Sequence, residues 1–122
     1  MRFYDPCATA LKAGLRISVH SDFNVTPIHP LRCVQDAVTR IMSDGGEVSV
    51  PEERIPAMAA LKAVTLDAAW QCRMDDIGGS LEVGKYADLA LLEEDPTKVE
   101  PTEIEKIKIS KTWLAGEKRH GA

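Results

Sequence analysis

Apolar residues recur at helical spacing through the middle of the chain and at alternate positions near its two ends. Leu15, Ile17 and Val19 alternate with Arg16 and Ser18, which predicts a strand over residues 15–19. A short helix over 6–13 precedes it, with Pro6 near its start and Gly14 as its stop. Pro30 opens a second helix, on which Leu31, Val34, Val38 and Ile41 share one face. Ser43-Asp44-Gly45-Gly46 is expected to end it, with a glycine in the left-handed position. Ser49-Val50-Pro51-Glu52 matches a capping box, yet Pro56 does not fit deep inside a helix. One turn near Pro51 and a fresh helix over 56–64 follow from that conflict. Thr65 reads as the N-cap of another short helix carrying Ala68, Ala69 and Cys72, and Gly78-Gly79 closes the helical half.

Beyond residue 79 the pattern changes. Gly84 suits a tight turn between two short strands, and residues 88–92 read as a strand of the buried type. Glu93-Glu94-Asp95-Pro96 makes an exposed turn. Ile104, Ile107 and Ile109 are expected to open a β-rich end, and residues 107–114 followed by Ala115-Gly116-Glu117 predict a hairpin. Helix, strand and loop in this rhythm give an α/β class. The early strand has no partner nearby in sequence, which is unusual for a domain that folds alone.

Composition narrows the partners. With 122 residues, 44% hydrophobic, the chain suits one modest core. A net charge of -4 argues against a nucleic-acid partner, since phosphate binding wants a basic face. No apolar run approaches the roughly 20 residues that cross a bilayer, so no membrane role is expected. The opening Met1-Arg2-Phe3-Tyr4-Asp5-Pro6 has no apolar signal core. Cys7, Cys33 and Cys72 are odd in number and widely spaced, which fits reduced thiols in the cytoplasm.

The residues with chemistry are few. Asp22 follows the early strand and has two local readings: a turn cap, or a carboxylate that holds a divalent metal and moves a proton. His20 and Asp22 stand two apart and share a strand face, so His20 is a candidate substrate contact or a packed histidine. His29 in the following loop is a weaker candidate of the same kind, and His120 reads as a solvated tail residue. No His-x-His pair exists, and one carboxylate with scattered imidazoles does not make a tetrahedral zinc site. The glycines over residues 79–92 fit no phosphate-binding loop, which leaves a structural role for that stretch. There Ala87 gives room for close packing, and Asp88 can bond backbone at the strand start.

Taken in order, these segments resemble a known family. Val19-His20-Ser21-Asp22-Phe23-Asn24-Val25-Thr26-Pro27 and the following Ala37-Val38-Thr39-Arg40 look like the eighth-strand segment of the amidohydrolase superfamily. The branch is the one resembling N-substituted formamide deformylases. Ala60-Leu61 through Thr65 to Ala69, Gly79-Ser80-Leu81-Glu82-Val83-Gly84-Lys85-Tyr86-Ala87-Asp88-Leu89 and Thr112-Trp113-Leu114-Ala115-Gly116-Glu117 are similar to its later motifs. The likeness covers nearly the whole chain. It implies that Asp22 is the catalytic aspartate and a metal ligand of the parent enzyme. Asn24 stands where the branch commonly has proline, which gives the loop its own shape and joins Asn24 to His20 as a candidate substrate contact.

The resemblance implies the last strand and helices of a (β/α)8 amidohydrolase barrel over residues 1–78, and part of a flanking small β-sandwich over 79–122. Alone, such a chain is a partial α+β fold, because a full barrel needs about 250 residues. The expected activity is that of a parent metal-dependent hydrolase, with zinc as the divalent metal and a small-molecule amide as substrate. Water attacks the carbonyl of a non-peptide amide while Asp22 takes its proton and returns it to the departing nitrogen. The isolated chain is expected to be inactive and to hold no metal. A different class is the alternative: a non-catalytic assembly module whose unpaired strand drives homo-oligomers or a strand-exchanged dimer.

Overall fold

A computed structural model describes residues 4–44 and 46–121 of the chain. The expectations placed on Met1, Arg2, Phe3 and Gly45 lie outside the described residues. Four helices come first: α1 (Cys7–Lys12), α2 (Pro30–Thr39), α3 (Ala57–Val64) and α4 (Leu66–Gln71). An antiparallel sheet follows, with β1 (Leu89–Leu92), β2 (Ile109–Leu114) and β3 (Glu117–His120) in that spatial order. A 3-10 turn at Pro51–Glu53 and a 3-10 helix at Pro101–Lys106 link the elements.

The core forms around α2. Leu31, Val34 and Ala37 on its inner face meet Ala8, Ile55, Ala60, Ile104 and Ile107. Residues from both sides of position 79 therefore share one cluster. Ile104 reaches it from the 3-10 helix, where the expected β-rich end had placed it in extended chain. Its spacing to Ile107 puts both side chains on the same side of a 3-10 turn. Gln35 Oε1 fastens that turn to α2 by accepting from the Glu105 amide at 3.0 Å.

α2 ends sooner than the glycine cluster suggested. Arg40 takes the left-handed cap conformation at φ 59°, and Ile41 then bridges Val48. The Arg40 guanidinium compensates by donating to the Tyr4 and Ser49 carbonyls, at 2.8 and 3.1 Å. The capping box does not form either. Val50, at φ 48°, occupies the N-cap of the Pro51 turn without a side-chain cap bond. Thr65 stands at the α3–α4 junction, but its hydroxyl donates back to the Leu61 carbonyl at 2.7 Å. Gly79 closes the helical half for a steric reason. At φ +81° a Cβ there would lie 2.5 Å from the Ala69 Cβ.

Residues 15–19 run extended but form no ladder among the described residues, so the predicted strand is absent as a sheet element. Among the described residues the one backbone hydrogen bond from this stretch to α3 is the Val19 amide donating to the Ala63 carbonyl at 3.3 Å. A strand needs a neighbour, and the described residues supply none there. The expected pair of strands over 79–92 is likewise half realised. Residues 81–88 are irregular, with Leu81 80% exposed, and only β1 pairs, Leu89 opposite Trp113 and Leu91 opposite Lys111. β1 is not buried in this chain, Leu91 being 51% exposed. The hairpin does form. Ala115 and Gly116 both take positive φ, 50° and 81°, as a type I′ turn demands. Asp88 steadies its tip, where the Ala115 amide donates to Oδ1 at 2.7 Å.

α1 has no cap of its own; its cap comes from far along the chain. Glu53, 6% exposed, accepts from the Thr9 amide at 2.8 Å and from the Thr9 hydroxyl. These bonds, the hydroxyl first, hold its carboxyl below the ordinary range. A depressed folded-state value stabilises above the unfolded one, so this contribution is complete at neutral pH and disappears as pH falls below about 4.3. In Glu53→Gln the acid-induced loss of stability over that window should shrink, measured as urea midpoints between pH 6 and 3. An unchanged acid limb would remove Glu53 from this role.

Candidate active site

The extended stretch ends in a tight turn that carries Asp22. Its backbone sits at φ 47°, a conformation aspartate tolerates better than most side chains. Its carbonyl accepts from the Val25 amide at 2.9 Å, and its amide donates to His20 Nδ1 at 3.0 Å. Thr26 adds a bond from its hydroxyl to the Ser21 carbonyl at 2.5 Å. Main-chain groups build the turn. The carboxylate itself makes no hydrogen bond or ion pair among the described residues, and it is exposed. His20 accepts at Nδ1, which leaves its ring proton on Nε2.

This turn lies at the edge of a groove of about 690 Å³ between α1, the extended stretch and α2. Ile17, Val19 and Ala37 give it an apolar side, and Asp22, Arg32 and Asp36 give it a polar one. Burial pushes the Asp36 carboxyl up, while the Arg32 guanidinium 3.8 Å away pulls it back. Burial likewise raises the Cys7 and Cys33 thiols, which keeps both in their unreactive form. The Arg32–Asp36 pair was not among the sequence candidates, although its i,i+4 spacing is legible.

The remaining candidates separate clearly. Asn24, exposed at φ 94°, adjoins Asp22 in the same turn, and that φ is closed to proline. His29 is the N-cap of α2, its Nδ1 accepting from the Arg32 amide at 3.1 Å, and so serves the helix. His120 is exposed on β3, opposite Thr112. The described residues contain no cluster of three or more His, Cys, Asp or Glu placed to hold a metal. The donor set therefore does not fit a complete metal centre; Asp22 offers one free carboxylate.

Comparison with solved structures shows the fold. The chain superposes over 95% of its length on an amidohydrolase from Thermotoga maritima MSB8, with a TM-score of 0.60 at 24% identity. It does so over 95% as well on an adenosine deaminase from Xanthomonas campestris with bound zinc, with a TM-score of 0.71 at 20% identity. These likenesses establish an α/β fold shared with amidohydrolases. They cover 26% and 28% of those chains. The chain belongs to the amidohydrolase family, whose model matches residues 1–119. An N-substituted formamide deformylase from Arthrobacter pascens is 30% identical over 94% of this chain. That match spans 21% of the deformylase, so the chain corresponds to about a fifth of its length. No described helix is long and apolar enough to cross a membrane.

Proposed function

We propose that this chain is the C-terminal segment of a metal-dependent hydrolase acting on non-peptide carbon–nitrogen bonds, with Asp22 as its catalytic carboxylate. The observation that carries the reading is the free Asp22 carboxylate, held by a backbone turn at the groove edge in a chain of this family. Residues 1–78 supply the last strand and helices of a barrel, and residues 79–122 part of a flanking sandwich. The unpaired stretch 15–19 supports this, because a barrel strand needs neighbours that the described residues do not supply.

In the full-length enzyme Asp22 would be one ligand of a divalent metal, which we assign as zinc, with the remaining ligands supplied outside these residues; such a metal would lend Lewis acidity toward water and the substrate carbonyl. Asp22 takes a proton onto a carboxylate oxygen from the attacking water and hands it to the departing nitrogen. His20, through Nε2–H, and the Asn24 amide contact the substrate beside it. The substrate class is a small amide, with an N-substituted formamide as the member the deformylase relative suggests. Cys7, Cys33 and Cys72 are unpaired thiols, which suits the cytoplasm. The 122-residue chain by itself is inactive. Elemental analysis of the purified chain is expected to find well below one zinc per molecule, and stoichiometric zinc would overturn the fragment reading.

A second reading has its own support. Leu15, Phe23, Val25 and Ile28 are 61, 69, 76 and 71% exposed around the unpaired stretch. A non-catalytic assembly module would cover them with a second copy by strand exchange. Light scattering is expected to give a dimer in that case, and a clean monomer at high concentration would discard it.

A further inference from the structure

Upstream of Asp22, on the same extended stretch, Arg16 reaches across to α4. Its Nε lies 3.8 Å from Asp67 Oδ1 and its Nη1 lies 4.0 Å from Asp75 Oδ2. The guanidinium stacks over the Trp70 ring at 5.0 Å. Further along, the Ser18 hydroxyl bonds Gln71 Oε1, and the Val19 amide bonds the Ala63 carbonyl. The stretch is thus held at three points by α3 and α4, with Ile17 packed against the core cluster on its other side. We infer that Arg16 is a positioning residue: by clamping the stretch to α4 it sets where the Asp22 turn begins. This inference rests on the catalytic reading of Asp22 given above.

The strength of this clamp comes from Asp67. Its side chain is 9% exposed, and Arg16 is the only cation within 4 Å among the described residues. A carboxylate so placed is costly without a counter-charge, so α4 and Arg16 are bound to each other. Among the described residues no ladder fixes the register of residues 15–19 in its place. The bond from the Asp22 amide to His20 Nδ1 makes the imidazole a reporter of the turn.

The test uses NMR on the 122-residue chain. In Arg16→Ala the Val19 amide is expected to exchange about fivefold faster, as loss of a partly exposed ion pair implies, and the His20 ring resonances to shift. The Val34 and Ala60 amides should keep their rates. Arg16→Lys keeps the charge and should restore both signals most of the way. The inference is overturned if Val19 and His20 do not respond to Arg16→Ala. It also fails if exchange accelerates equally at Val34 and Ala60, or if Arg16→Lys behaves like the alanine variant. Any of these results leaves the catalytic reading intact, since that stands on turnover of an Asp22 variant.

Discussion

Asp22→Asn, placed in a full-length enzyme that contains this segment, is expected to lower kcat about 10²–10⁴-fold, the range typical of a lost general acid–base group. The substitution isolates the chemistry. Asparagine has nearly the same volume and tolerates the left-handed backbone at φ 47°, so the turn and its bonds to His20 and Val25 should persist. What disappears is the oxygen that accepts the proton. Steady-state kinetics should therefore show the loss mainly in kcat rather than KM. Full activity in that variant would take the catalytic role from Asp22 and return it to the status of a turn residue.

Ile104→Ala is expected to destabilise the chain by about 2–5 kcal/mol, the usual cost of truncating a fully buried isoleucine. Ile104 is 1% exposed and packs against α2 in the one cluster that joins the helical half to the later residues. Among the described residues four of the nine buried apolar ones are alanines, Ala8, Ala37, Ala60 and Ala63, which leaves few large side chains to absorb the loss. Against a stability of about 5–15 kcal/mol for an ordinary domain, such a change leaves little margin. Urea unfolding should show the midpoint falling with the slope unchanged. Leu91→Ala, at a half-exposed position of β1, is the control and should stay within about 0.5 kcal/mol. Equal effects in the two variants would mean that Ile104 is not the keystone of the core.

What could be read from the sequence was local. The face of α2, the fresh start of α3 after Pro56, the Gly79 stop and the Ala115-Gly116 hairpin each follow from a few adjacent residues. The extended stretch 15–19 misled because alternation reports a half-buried surface, whereas a ladder also requires a neighbour from elsewhere in the chain. Ile104 and Ile107 suited strand and 3-10 helix alike, and packing on α2 decided between them. His29 carried no sequence mark that separated a helix cap from a ligand. Asp22 stood out as a candidate only through resemblance; the freedom of its carboxylate and the grip of Arg16 on Asp67 required coordinates. Glu53 and Thr9 lie 44 residues apart, beyond any periodicity.

That long span has a bearing on synthesis. A ribosome completes α1 well before it delivers the carboxylate that satisfies the Thr9 donors. Until then the opening turn is an unsecured helix of 6 residues, too short to persist in water by itself. Its lasting order is therefore imposed late, by material translated after α2 has emerged.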